Sequence, residues 1–497
     1  MSLAAGLHAL ALPPWSWPPV AAVALVPFLL ALRDLAPRRA ACLGLVFGAA
    51  AIWGVGYWVP GALAHYYQQP MWFGVAFAFA ASIVFAGSYT AGFAVCAAWI
   101  GARTTGAARA VAIAVLWVAW ELARARLLTG DPWLLLGYAL GPSPALRQAA
   151  DLGGVYLLSF VVALVNAAVA EALTGVGRGR FVAVGVAFVA LVAAWTYGAR
   201  RLATALPGEA VPLVVVQGNN PVGTQWNEED YGAGLERYVA LSRAAAGTSR
   251  PALLVWPESA VTFFLAEDRS YRATIGRLLR ETGAELVVGG PFRAGEGRAA
   301  RYFNAAFYLT ANGDIAGRYD KAHLLPFAEY FPLRTIEFLR RRFERVRYFT
   351  AGERQAPVVT SLGPVASVIC FEAIFPEIVR ARMAEGARLL LNLSNDAWLG
   401  EGAGREQHLA MVALRAVENR TWVVRATTTG VSALIDPFGR VVARADTDVA
   451  TTLAGSVVPL AVDTVYERLG DAFAYGCVAL AIVGAAACAI RRSWPRR

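Results

Sequence analysis

The chain has 497 residues, of which 57% are hydrophobic and only 16% charged, with a formal net charge of +10. That length holds two or three domains, and so high a hydrophobic fraction places much of the chain outside water. Residues 1–206 carry 12 basic and 5 acidic side chains, 207–463 carry 28 of each, and 464–497 carry 5 and 2, so a neutral middle sits between basic, apolar ends and a nucleic-acid partner is argued against.

Taken in order, residues 1–14 are apolar but end at the breaker run Leu12-Pro13-Pro14-Trp15-Ser16-Trp17-Pro18. That is short of the roughly 17 residues an upright span needs. The start also lacks the cationic head and small-residue cleavage site of a signal peptide. Apolar runs at about 19–33, 40–60, 72–101, 110–128, 153–174, 182–199 and 472–490 are expected to span a bilayer, which makes eight segments with the first. If the N-terminus is cytoplasmic, Arg33, Arg38, Arg39, Arg103, Arg109, Arg178, Arg180, Arg491, Arg492, Arg496 and Arg497 fall on that side, against Arg124, Arg126 and Arg147 on the other. This asymmetry follows the positive-inside rule and puts residues 207–463 outside the cytoplasm. Near Glu121, Arg124 and Arg126, the run LTGDPWLLLGY ending at Tyr138 is broken at Thr129-Gly130-Asp131-Pro132. It reads either as snorkelling arginines with a paired acid or as a re-entrant segment shaping a lipid-entry cleft.

The middle of the chain changes period. Strand-like runs occur at 211–219, 252–259, 285–292, 304–310, 364–372, 389–396, 422–430 and 432–443, with helical patterns at about 231–246, 268–282, 375–386 and 405–419. Such alternation predicts an α/β fold with helices covering sheets. RRRFERVR, Arg340–Arg347, reads as a solvated helix face, with contact to anionic headgroups as the alternative.

Three residues in this region stand out as chemistry. Cys42, Cys96, Cys477 and Cys488 lie in long apolar runs, where a thiol is a small hydrophobe, and only Cys370, near the end of PVASVICFE, lies in the polar part of the chain. With one cysteine there, no disulfide forms within the region. All but one of the 45 Lys plus Arg residues are arginine, the exception being Lys321 in GRYDKAHLLPFAEYFP. Arginine stays charged at any workable pH, whereas burial and neighbours tune an amine. Glu258 ends ALLVWPES, just past an apolar strand. A thiol, an amine and a carboxylate together suit nucleophilic acyl transfer. The histidines His323 and His408 allow a Cys–His pair, which is the weaker reading. No HExxH, CxxC pair, clustered His/Asp set or glycine-rich phosphate loop points to a metal or nucleotide, so no cofactor is expected.

WPES at Trp256–Ser259, YDKAHLLPFAEYFPL at Tyr319–Leu333, ICFE at Ile369–Glu372 and LSNDAWLG at Leu393–Gly400 together resemble the nitrilase (carbon-nitrogen hydrolase) superfamily. Flanked by membrane segments, they resemble its apolipoprotein N-acyltransferase branch over nearly the whole chain. The resemblance implies a multi-pass α-helical membrane domain plus an αββα nitrilase-like sandwich: transmembrane helices in 1–206, a periplasmic catalytic domain in 207–463, and a last helix with a basic tail in 464–497. It implies Glu258 as general base, Lys321 as oxyanion donor and Cys370 as nucleophile. Glu329, Glu372, Trp226, Phe371 and Asn395 are implied as supporting or substrate-binding residues. Glu372, two residues past the nucleophile, shares its side of the strand if the strand continues. Phe371 stands where the family often has tyrosine, which favours packing, and Trp226 in GNNPVGTQW matches a tryptophan at the substrate entrance. The implied activity moves a fatty acyl chain from a phospholipid, through a Cys370 thioester, to the α-amine of a lipid-modified N-terminal cysteine on an apolipoprotein. The expected setting is the bacterial inner membrane and the expected state a monomer. A membrane-tethered amidase using water, and a binding-only outer domain, are the competing readings.

Overall fold

The structure, a computed structural model, describes residues 1–220, 228–333, 335–342, 348–353 and 355–493, with side chains described as far as 487. It resolves into two compact units. One comprises Met1–Pro60, Met71–Ala205 and Thr464–Arg497; the other comprises Gly61–Pro70 and Leu206–Asp463. The short segment Gly61–Pro70 thus belongs with the α/β unit, although the sequence reading ran the membrane region unbroken from 1 to 206.

Among the described residues of the first unit, five helices are long and apolar enough to cross a membrane: Pro37–Val55, Met71–Gly101, Gly106–Arg126, Leu146–Thr174 and Gly179–Leu202. Ser2–Ala11, Pro18–Ala31 and Ala472–Ala487 are shorter apolar stretches among the described residues. The expected span at 19–33 is a correction. It forms two short helices, Pro18–Ala21 and Val26–Ala31. Pro27 has no N–H to donate back to Val23 and its ring crowds that carbonyl, so the ladder opens across 22–25. Backbone groups freed in an apolar surrounding need partners. Asn166, fully buried, supplies them: its Oδ1 accepts from Leu25 N–H at 2.7 Å and its Nδ2 donates to Ala21 O at 2.7 Å.

The expected helix at 153–174 begins at a real discontinuity. Gly154 has φ +66°, open to glycine alone at low cost, and a Cβ there would lie 2.6 Å from the Tyr466 ring. Between the spans at 106–126 and 146–174, residues Leu134–Leu140 are buried without forming a long helix. Glu121 accepts from Leu136 N–H at 2.7 Å and the Ser159 hydroxyl accepts from Gly137 N–H at 2.8 Å. Arg124 donates to Trp133 O, and Arg126 pairs with Asp471. The polar groups at this boundary therefore hold irregular backbone, as a re-entrant segment requires.

Among the described residues, the α/β unit holds two six-stranded sheets. In chain order the strands are β1 (Val211–Gln217), β2 (Leu253–Val255), β3 (Glu285–Ala294), β4 (Arg301–Leu309), β5 (Ile315–Asp320), β6 (Val358–Thr360), β7 (Gly363–Ile369), β8 (Leu389–Ser394), β9 (Val423–Thr427), β10 (Ala433–Ile435), β11 (Val441–Arg444) and β12 (Thr451–Val457). One sheet runs β12-β1-β2-β3-β4-β5 and the other β11-β10-β9-β8-β7-β6. The central strands β1–β3 and β7–β9 are parallel. Their apolar runs bury side chains on both faces, as parallel strands do. Leu213, Val215, Val255, Ile369, Leu391 and Val424 meet between the sheets. The opposite faces pack under helices: Glu228–Ser249 and Arg269–Thr282 cover the first sheet, and Pro376–Met383 and Ala403–Asn419 the second. The layering is αββα. The run 432–443, read as one strand, is two, because Asp436 accepts from Phe438 and Arg440 N–H and folds the chain back between β10 and β11.

Candidate active site

Cys370 follows the last residue of β7, in the layer between the sheets, and is 3% exposed. Its φ is +52°, a left-handed conformation that costs a non-glycine residue roughly 1–3 kcal/mol and recurs at functional sites. The chain then enters a tight turn, Cys370–Ile374. The strand does not continue, so Glu372 does not share a pleat with the thiol; this overturns the alternation argument. Instead Glu372, fully buried, holds the chain around Lys321. Its Oε1 accepts from the Tyr319 hydroxyl and from Ala322 and Ala322's neighbour His323 through their N–H groups, at 2.8, 2.8 and 2.9 Å, and its Oε2 from Ile369 N–H at 2.7 Å.

Lys321 stands one residue past β5 and is 1% exposed. Its Nζ lies 2.8 Å from Glu329 Oε2 and 3.9 Å from Glu258 Oε1. Asn304, near the start of β4, ties the two acids together, donating to Glu258 Oε1 at 2.7 Å and to Glu329 Oε1 at 2.8 Å. Glu258 lies just beyond the carboxyl end of β2, and its Oε2 accepts from Asn395 N–H at 2.8 Å. Gly289 of β3 lets this backbone pass, since a Cβ there would sit 2.6 Å from Glu258 Cα. Strand ends thus deliver a thiol, an amine and two carboxylates to one buried place, as open parallel sheets commonly do.

The charges shape one another. Burial pushes the Cys370 thiol up to about 12, with Glu258 adding to the rise and Lys321 opposing it. Burial also raises the Glu258 carboxyl above the ordinary carboxylate range, against the pull of Lys321. For Lys321, burial favours the neutral amine, yet the carboxylates of Glu329 and Glu258 outweigh it and hold the amine charged. The sulfur therefore rests as a thiol close to Glu258, with the charged Lys321 amine next to both. A sulfur in this state could attack only if its proton left as the bond formed, which is the work of a general base.

Beneath this lies a cluster the sequence reading did not foresee. The Ser394 hydroxyl meets Asp396 Oδ1 at 2.7 Å, Arg425 donates to Asp396 Oδ2 at 2.6 Å, and His408 Nδ1 lies 3.2 Å from Asp396 Oδ1. Burial would raise the Asp396 carboxyl, but the Arg425 guanidinium and His408 hold it well below the usual range. The signal available was an arginine inside the apolar run WVVRATTTG. Asn304 was missed too; its signal was an amide at the head of an otherwise apolar strand. His323 packs its ring on Phe375 at 4.2 Å and on Phe371 at 6.0 Å, and Phe371 also meets Phe375 at 5.0 Å. Trp226 lies outside the described residues. Among the described residues, no three His, Cys, Asp or Glu side chains are grouped to hold a metal.

The family model described as carbon-nitrogen hydrolase matches residues 215–465, which places the αββα sandwich that holds Glu258, Lys321 and Cys370 in that class. The model described as apolipoprotein N-acyltransferase N-terminal domain matches residues 4–168. The apolipoprotein N-acyltransferase of Geobacter metallireducens is 36% identical over 98% of this chain and 94% of its own, and that of Pseudomonas putida is 34% identical over 93% and 90%. An amidase of the nitrilase superfamily from Nesterenkonia sp. AN1 superposes with a TM-score of 0.41 at 20% identity, covering 55% of this chain and 98% of that one. The chain belongs to the apolipoprotein N-acyltransferase family, and is a membrane acyltransferase.

Proposed function

We propose that the chain transfers a fatty acyl group from a phospholipid to the α-amine of the lipid-modified N-terminal cysteine of apolipoproteins, at the periplasmic face of the bacterial inner membrane. The apolar helices in 1–206 and 464–497 tether the catalytic part, 207–463, by both its ends, and one chain supplies every catalytic group. The observation that carries the reading is the ammonium of Lys321, fixed 2.8 Å from Glu329 and 3.9 Å from Glu258 in the buried site that holds Cys370.

In the first half-reaction Glu258 takes the Cys370 proton as the sulfur attacks the phospholipid ester carbonyl. The Lys321 ammonium faces the oxyanion that develops. Collapse breaks the ester C–O bond, the departing alkoxide takes the proton held on Glu258, and a lysophospholipid leaves a thioester behind. In the second, the neutral amine attacks the thioester carbonyl, Glu258 accepts its proton, and the C–S bond breaks to return the thiolate, which recovers that proton. Two substrates using one site in turn gives ping-pong kinetics. A membrane setting keeps the acyl chain out of water, where exposing each methylene costs about 0.8 kcal/mol.

The test is the mass of the intact protein after exposure to phospholipid vesicles. The wild type is expected to gain one acyl chain, Cys370→Ala none, and the adduct should discharge to a diacylglyceryl peptide. An adduct that persists in Cys370→Ala, or none in the wild type, rejects the thioester. Rapid hydrolysis without any amine would favour a membrane-tethered amidase instead.

A further inference from the structure

Gly61–Pro70 lies in sequence between two long apolar helices, Pro37–Val55 and Met71–Gly101, yet it packs as part of the α/β unit. Its helix, Val59–Tyr67, buries Ala62, Ala64 and Tyr67. The Tyr67 hydroxyl donates to the carbonyl of Phe327 at 2.7 Å, and Gln69 Oε1 accepts from Arg342 Nη1 at 3.1 Å. On another side, a Cβ placed on Gly400 would come within 4.0 Å of the Ala62 Cβ, close to the turn that begins at Asn395.

What Tyr67 holds is the turn that presents Glu329. Phe327 sits at φ +65°, and its N–H donates to Tyr330 O at 2.7 Å. Glu329 N–H donates to Leu325 O at 2.9 Å, while Leu325 N–H donates back to Glu329 Oε2 at 2.8 Å. That same Oε2 lies 2.8 Å from Lys321 Nζ. A left-handed phenylalanine is costly, so this turn keeps its shape only where its surroundings fix it. The hydrogen bond from Tyr67 is one such constraint, and it reaches the lysine through a single carboxylate.

We propose that Tyr67 is a positioning residue for acyl transfer: by holding the Phe327 turn it sets Glu329, and through Glu329 the Lys321 ammonium. Gly61–Pro70 is then a strut joining two membrane helices, along the chain, to the geometry of the oxyanion donor. The inference rests on the thioester reading above, and the experiment separates the two. Single-turnover formation of the acyl adduct from phospholipid vesicles is followed in the full-length wild type, Tyr67→Phe, Glu329→Gln and the double variant. Tyr67→Phe is expected to slow acylation ~10-fold, the size of one lost hydrogen bond, with the half-saturating phospholipid concentration within about twofold of wild type. In the Glu329→Gln background the same substitution should add less than about twofold, since the carboxylate it acts through is gone. Equal fold-losses in both backgrounds, or an unchanged rate in Tyr67→Phe, overturn the inference while the wild-type adduct still stands. Absence of the wild-type adduct overturns the thioester reading instead. Should Tyr67→Phe fold poorly, Gln69→Ala cuts the second tie and is expected to slow acylation about threefold; no change there rejects the strut.

Discussion

Two buried asparagines show how differently the two units use an amide. Asn166, in the membrane unit, gives its whole side chain to backbone, accepting from Leu25 N–H and donating to Ala21 O and Val162 O. Asn304, in the α/β unit, gives its amide to two carboxylates, Glu258 and Glu329. Glu121 and Ser159 repeat the first pattern at Leu136 and Gly137, and Lys321 with its two acids repeats the second. At Asn166, Glu121 and Ser159 a buried polar side chain closes a gap in the ladder that a proline or a tight segment leaves open. Around Asn304 and Lys321 polar side chains are buried against one another, so each holds its neighbours' charge state. Substitutions in the first class should cost stability, and those in the second should cost rate.

The largest expected break is Lys321→Arg. It keeps the charge, and 44 arginines elsewhere show how readily this chain uses that side chain. A planar guanidinium cannot occupy the place of a compact ammonium 2.8 Å from Glu329 and 3.9 Å from Glu258 without moving the proposed oxyanion donor. Adduct formation is expected to fall ~10³-fold, in the range seen when an oxyanion donor is lost, with the melting temperature nearly unchanged. Near-normal acylation would show that only charge matters here.

Asn304→Ala comes next and sharpens the comparison through pH. Glu258 must be deprotonated to act as the proposed base, so activity is expected to fall as pH drops through its raised value. The Asn304 amide stabilises the charged carboxylate; removing it favours the protonated form, so the acid limb of the rate profile should move to higher pH. The maximal acylation rate should also fall ~10²-fold. A lowered rate with an unmoved acid limb would mean that Asn304 only supports packing.

What the sequence disclosed follows the same division. Cys370 and Lys321 were legible because each is alone of its kind in the middle region, and the central strands were legible because parallel strands are continuously apolar. β5, β6 and β12 were not: IAGRYD and TTLAGSV are mostly polar or small, and VVT is three residues long. Glu372 was legible as a site residue but its task was not, because the turn at Cys370 depends on one dihedral angle that no pattern encodes. Asn166 carried no signal at all. Its role depends on an opening in the ladder 141 residues earlier, at Leu25.

That opening supplies the smallest effect on chemistry and the cleanest test of the division. Asn166→Leu leaves Leu25 N–H and Ala21 O without their partner in an apolar surrounding, at a cost of about 1–3 kcal/mol for each group. Thermal unfolding in detergent or nanodiscs should register the loss, while the acylation rate per folded molecule stays near wild type, because Asn166 bonds only to backbone of its own unit. A variant that melts normally but acylates poorly would mean that buried polar groups in the membrane unit also bear on the chemistry, and the separation drawn from the two asparagines would fail.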